Sequence, residues 1–234
     1  MRNIWFTIYS SGKHDDKYIG LNNYRTLLEI LMIPAIQDKI NRTKKAQKIM
    51  LMFYPDLEED DIDYFKELYY EKKVRGGIMN ISISTKNIDW NSLSEQEKKN
   101  FLIEKWKVLF GNLSDDYFLA DKSEVINSLE ELRKEEWKHT SLLFKKKLKY
   151  NKQEYSIVLD ISVEKAKLAL VRESDEKWFI LKEYDEVWRV MTDAIFKNFK
   201  LEGDILTLEN QSIFLSPEQF DLKELIRDSD VNYN

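Results

Sequence analysis

The stretch YSIVLDISVEKAKLALVRESDEKWFIL, residues 155–181, carries the most about the fold. Apolar runs at 155–163, 166–171 and 178–181 are parted only by Glu164-Lys165 and by the polar residues 173–176. Short runs rich in Ile, Val, Leu and aromatics read as strands. A parallel crossover needs roughly a dozen residues, and these breaks are shorter, so the spacing predicts an antiparallel meander. Downstream, Val187, Val190, Met191, Ala194 and Ile195 fall on one face of a predicted helix over 186–200. Gly203 then leads to a short strand pair at 205–208 and 213–215, and Ser216, Pro217 and Gln219 signal the start of a last helix.

Upstream of the meander the elements alternate. Ile4, Phe6 and Ile8 against Trp5, Thr7 and Tyr9 mark a first strand. Leu27, Leu28, Leu31, Met32 and Ile36 mark a helix over 21–40, in which Pro34 predicts a kink or break near Ile33. Residues 48–54, with Ile49, Met50, Leu51, Met52 and Phe53, are apolar on both faces and read as a central strand. A helix over 56–74 opens on acids, closes on Lys72, Lys73 and Arg75, and stops at Gly76-Gly77. Met79, Ile81 and Ile83 alternate with Asn80, Ser82 and Ser84 in the next strand. Ser94 with Glu97 forms a capping box for a helix ending near Gly111, and Asp121 with Glu124 starts a longer one running toward Lys149.

The resulting class is α+β: a mixed strand and helix N-terminal half, a helical middle, and an antiparallel C-terminal sheet with packed helices. The organisation expected is a mixed half at 1–112, a helical connection at 113–150, and the meander with its helices at 151–229. No Pro/Gly/Ser linker separates the halves, so they are expected to pack as one unit.

Composition narrows the function classes. At 43% hydrophobic and 13% aromatic the chain can bury a core, yet it has no cysteine, two histidines and six glycines. That removes thiol catalysis, disulfides and Cys-ligated metals, and fits a reducing compartment. The apolar start is too short for a signal or span and no later window reaches eighteen apolar residues, so a soluble, cytoplasmic protein is expected. The Lys-, Ile- and Asn-rich, Ala-poor composition points to an A/T-rich, bacterial genome. The net charge of −5 is uneven: residues 138–152 carry six lysines and no acid, whereas 153–234 sum to −8. Such a field steers charged partners.

Near-motifs fail one by one. Ser11-Gly12-Lys13 is similar to a phosphate loop but lacks its earlier glycine, Thr7 standing there, and has His14 in place of the following Ser or Thr. His14-Asp15-Asp16 offers metal-ligand types on adjacent loop positions, which seldom converge on one ion. Asp56, Glu58, Glu59, Asp60, Asp61 and Asp63 could hold a divalent metal. Pro55-Asp56 with Glu71-Lys72-Lys73 resembles the Pro-Asp and Glu-x-Lys elements of restriction-type nucleases, which implies metal-dependent hydrolysis. In that family the Glu-x-Lys lies on a strand, whereas here it ends a predicted helix. Asp160-Ile161-Ser162-Val163 is similar in outline to the phosphate hairpin of sugar kinases but lacks its glycine. No catalytic, cofactor-binding or metal-binding residue is therefore assigned.

Two binding candidates remain. Trp178 and Trp188 flank Glu183, Asp185 and Glu186, and aromatic anchors beside charge are what protein interfaces favour. Lys145, Lys146, Lys147 and Lys149, interleaved with Phe144, Leu148 and Tyr150, form a basic patch suited to nucleic acid, although a helix C-terminus, where they are predicted to lie, favours lysines in any case. The leading expectation is a non-enzymatic cytoplasmic module that binds a protein with a basic surface, in concrete form a bacterial immunity protein that neutralises a cognate toxin. A carboxylate- and metal-dependent hydrolase and a nucleic-acid binder acting through the lysine patch are the alternatives.

Overall fold

The computed structural model describes residues 5–10, 16–41, 46–58 and 74–231. It divides into two compact units, Met1–Trp137 and Lys138–Asn234.

In the first unit, β1 (Trp5–Ser10), β2 (Lys48–Tyr54) and β4 (Ile78–Ser84) run parallel, and β3 (Val74–Arg75) pairs antiparallel to β4, in the order β1-β2-β4-β3. The doubly apolar 48–54 run takes the central place it predicts. Ile49, Leu51 and Phe53 are fully buried on one face, and the alternate residues are half-buried on the other. Gly76 and Gly77 have φ of +57° and +82°, the left-handed pair that a two-residue type I′ hairpin demands, and they turn β3 into β4. Most of the helix expected over 56–74 lies outside the described residues.

Helix α1 (Leu21–Ile36) runs through Pro34 and ends four residues short of Ile40, so of the kink or break expected near Ile33 the break does not occur. Proline here removes one backbone donor in the last turn, Gln37 N still closes on Ile33 O at 2.9 Å, and the buried Met32 and Ile36 hold the turn in place. Helix α2 (Glu95–Asn112) begins with the capping box as predicted: Ser94 N donates to Glu97 Oε2 at 2.8 Å and Glu97 N donates to Ser94 Oγ at 3.3 Å. Such a cap contributes about 1 kcal/mol. Its buried residues Leu102, Ile103, Trp106, Leu109 and Phe110 recur at helical spacing. The Phe6 ring on β1 meets Trp106 and Phe110 edge-on at 5.8 and 5.6 Å, while Thr7, on the opposite pleat, donates to the buried Glu29 of α1. Both faces of β1 are thus covered.

Helix α3 (Lys122–Lys134) starts at Asp121, whose carboxylate accepts from Ser123 N at 2.7 Å. It ends fifteen residues short of the predicted Lys149. Trp137, fully buried, donates its indole N–H to Leu132 O at 2.8 Å, which satisfies a carbonyl of the last turn and turns the chain away. Residues 139–150 are two short strands joined by a loop, not the end of a helical connection. His139–Leu142 (β5) and Leu148–Tyr150 (β6) pair side by side along one edge of β7, and these ladder bonds outweigh the weak helical preference of the segment.

The second unit holds the meander. β7 (Gln153–Ile161), β8 (Ala166–Arg172) and β9 (Trp178–Tyr184) are antiparallel, and β5 and β6 extend the sheet beyond β7. The helix expected over 186–200 is replaced by a 3-10 turn (Val187–Arg189), the single helical turn α4 (Val190–Asp193), and β10 (Phe196–Glu202). Gly203, at φ +61°, opens a two-residue turn that closes β10 onto β11 (Ile205–Asn210), and the hairpin claims the 196–202 segment. Residues 213–215 form no strand. β12 (Glu218–Asp221) pairs with β11 instead, and the last helix, α5 (Leu222–Val231), starts six residues after Ser216, with Asp221 accepting from Lys223 N at 2.9 Å. The three-stranded sheet is tied to the meander sheet by Tyr150 OH donating to Asp204 Oδ1 at 2.7 Å, by Lys182 with Glu218 at 2.8 Å, and by Phe144 against Phe199 at 5.1 Å.

Candidate functional site

Of the aromatic and acidic candidates, Trp178 stands apart from Glu183 along one strand. Trp178, 41% exposed, begins β9, and Glu183 lies near its other end, about 17 Å along an extended strand. Glu183 is shared by Lys165 at 3.1 Å and Lys167 at 3.9 Å. Glu186 is taken by Arg189, whose guanidinium also lies 5.6 Å from the Trp188 ring centroid. Asp185 is exposed. The acidity of this stretch is partly neutralised by its own neighbours.

Asp175, at the β8–β9 turn, receives both Arg172 donors, Nε at 2.8 Å and Nη2 at 2.7 Å. That bidentate contact holds its carboxyl down to about 2. Because the folded value lies below the unfolded value of about 3.9, the contribution of this pair is complete above that pH and is lost as the pH falls through about 2. A carbon-detected NMR titration should place the Asp175 midpoint near 2, and Arg172→Ala should return it to the ordinary range; an unshifted midpoint in the wild type would contradict the pairing.

What the sequence reading missed adjoins Trp188. Trp188 and Met191 stand three apart on one helical turn, and Met191 and Ile195 are 39% and 42% exposed. Gln211 N donates to Ile195 O at 2.8 Å, which brings the β11–β12 loop alongside. Its tip is Ile213-Phe214-Leu215, with Ile213 and Phe214 each 91% exposed. Hydrogen bonds brace the loop. The buried Asn210 donates its side-chain amide to Ser216 O at 2.7 Å across the base, and Phe214 N donates to Ser212 Oγ at 3.3 Å. A signal did exist: an apolar triplet bracketed by Ser212 and Ser216-Pro217 fits a loop as well as a strand.

The lysine patch changes its meaning. It does not close a helix; Lys145, Lys146 and Lys147 occupy the β5–β6 loop and Lys149 lies on β6, all exposed, so a helix dipole does not account for them. They line one wall of a groove of about 950 Å³ whose other wall is residues 198–202 of β10. Lys147 pairs with Glu173, Lys149 with Glu154 at 3.1 Å, and Lys200 with Glu209 at 2.6 Å. These contacts lower the Glu173 and Glu209 carboxyls below the usual range and raise the Lys200 ammonium. The Lys146 ammonium stands 5.4 Å from the Phe199 ring centroid, and Lys145 has no acidic partner among the described residues.

In the first unit a cavity of about 280 Å³ sits where β2 and β4 end, beside Tyr18, Thr85 and Trp90. Several of its polar groups are bonded within the unit: Tyr18 OH bonds Thr85 Oγ1 at 2.5 Å, Trp90 Nε1 donates to Ile19 O at 3.0 Å, and Asn91 Nδ2 donates to Asp16 O at 2.9 Å. Burial pushes the Tyr18 hydroxyl up, away from ionisation. Residues 11–15, which carry the Ser11-Gly12-Lys13 and His14 candidates, lie outside the described residues, as do Glu59, Asp60, Asp61, Asp63 and Glu71. Of the acidic run, Glu58 is in an ion pair with Lys86 at 2.6 Å. Among the described residues no group of three or more His, Cys, Asp or Glu could hold a metal ion, and no helix is long and apolar enough to cross a membrane.

Comparison with protein-family models, with curated proteins and with solved structures finds no significant match to this chain.

Proposed function

We propose that this chain is a non-enzymatic protein-binding module of the cytoplasm, and that its partner is a protein which covers the Ile213-Phe214-Leu215 tip. The single observation that carries the reading is the near-complete exposure of Ile213 and Phe214 on a loop whose base is pinned by hydrogen bonds. Contiguous exposed apolar side chains cost solubility, and they mark interaction sites when they are presented on ordered backbone. A pre-shaped loop also loses less entropy on association than a mobile one. Met191 and Ile195 widen the apolar surface, and Asp185, Glu186 and Asp193 supply acids from the adjoining turn. That combination suits a partner with an apolar pocket and a basic rim, because complementary charge speeds encounter and excludes wrong partners.

The concrete form of this function is a bacterial immunity protein, which neutralises a toxin by occupying its surface and needs no catalytic groups. Co-expression with the protein encoded next to it should give a stoichiometric complex by size-exclusion chromatography, and should restore growth to cells making that protein. If the two proteins elute apart and growth is unaffected, the reading fails.

A further inference from the structure

Two runs of five consecutive residues line the lysine groove, 145–149 on one side and 198–202 on the other, with Glu154 beside them. Side chains alternate between faces along a strand, so a groove lined by consecutive residues follows the strand's edge and not one of its faces. The 198–202 wall is a strand edge, and the 145–149 wall is the β5–β6 loop running into the edge strand β6. β6 pairs only with β7 and β10 only with β11 among the described strands. The two-residue turn after Glu202 makes Glu202 and Ile205 the closing bonded pair, so bonding alternates and the amides of Phe199 and Leu201 face the open side of β10. Lysines do protect sheet edges from unwanted pairing, which accounts for Lys149 and Lys200. It does not account for three adjacent lysines on the connecting loop.

We propose that this groove docks an extended acidic peptide segment, which adds to the β10 edge and sets its carboxylates against Lys145 and Lys146. The proposal rests on the reading of the chain as a protein-binding module, but not on the apolar tip. Peptide is favoured over nucleic acid by three features. The Phe199 ring is buried and covered by Lys146, which leaves no stacking platform for a base. Glu202 also lines the groove, and an extended peptide, whose side chains alternate, can set an apolar residue against it where a phosphate backbone is charged at every unit. Unpaired strand amides match an extended polypeptide, as in β-strand addition.

The probe is a labelled decapeptide of alternating Asp and Val, titrated into the full-length protein, with a ten-nucleotide oligothymidylate as the competing anion. Expected results are saturable peptide binding, weakened tenfold or more by Lys145→Glu/Lys146→Glu and measurably by Lys145→Gln, and unchanged within twofold by Phe214→Asp. Hydrogen exchange at the amides of Phe199 and Leu201 should slow at least tenfold on saturation. Equal peptide affinity in the double variant, tighter binding of the oligonucleotide, or unslowed exchange at both amides would each overturn the proposal. Since the peptide is synthetic and the lysine variants leave the tip intact, loss of the complex with the neighbouring protein in Phe214→Asp alone reports on the tip reading, not on the groove.

Discussion

Phe214→Asp is expected to weaken the partner complex by about 2–4 kcal/mol, roughly 30- to 1,000-fold in Kd, with no loss of folding stability beyond about 0.5 kcal/mol. The asymmetry follows from the position of the ring. At 91% exposure it contributes almost nothing to the folded monomer, so its removal costs the fold nothing, whereas an apolar pocket that loses a phenyl ring and gains a carboxylate is penalised twice. Ile213→Ser should act in the same direction, more weakly, because only aliphatic area is lost. Asn210→Ala tests the pinned base separately: the Ser216 carbonyl loses its donor, the tip gains freedom, and affinity should fall about tenfold through ordering cost with the contact residues unchanged. Isothermal titration of the three variants against the co-expressed partner measures these differences. Unchanged affinity in Phe214→Asp would remove the tip from the interface. A wild-type homodimer that Phe214→Asp dissolves would make the tip a self-association surface and defeat the partner reading.

Trp106→Ala should lower the stability of the first unit by about 3–5 kcal/mol, a fall in Tm on the order of 10 °C. The indole is fully buried between the β1 and α2 aromatics, 5.8 Å from the Phe6 ring and 5.6 Å from Phe110, and truncation leaves a void that close-packed neighbours fill only in part. Its indole N–H has no acceptor among the described residues. Trp106→Phe removes that unpaired donor while keeping an aromatic ring, and should cost clearly less than Trp106→Ala. Urea titrations of the two variants decide the matter. Equal losses would mean that ring packing is not what holds α2 to the sheet.

The parts legible in the sequence share one property. The capping box at Ser94 and Glu97, the Asp121 cap, the alternation of 78–84 and the runs of 155–172 are encoded within a few neighbouring residues, and local chemistry is enough to specify them. The errors share the opposite property. Residues 139–142, 148–150 and 196–202 have sequences compatible with either helix or strand, and each becomes a strand because a distant partner, β7 or β11, offers an unpaired edge. Trp178 and Glu183, five residues apart in sequence, lie near opposite ends of β9 because the segment is extended.

By itself the sequence determined the α+β class, the parallel-capable central strand at 48–54, the meander, two helix starts, and the lack of thiol or Cys-metal chemistry, since periodicity, caps and composition need no knowledge of the fold. Only the tertiary structure decided that the lysines line a groove and that Ile213 and Phe214 stand free. Each depends on what lies next to a residue in space: the groove needs β10 opposite the β5–β6 loop, and exposure is the absence of packing over a side chain that, in sequence, looks like core.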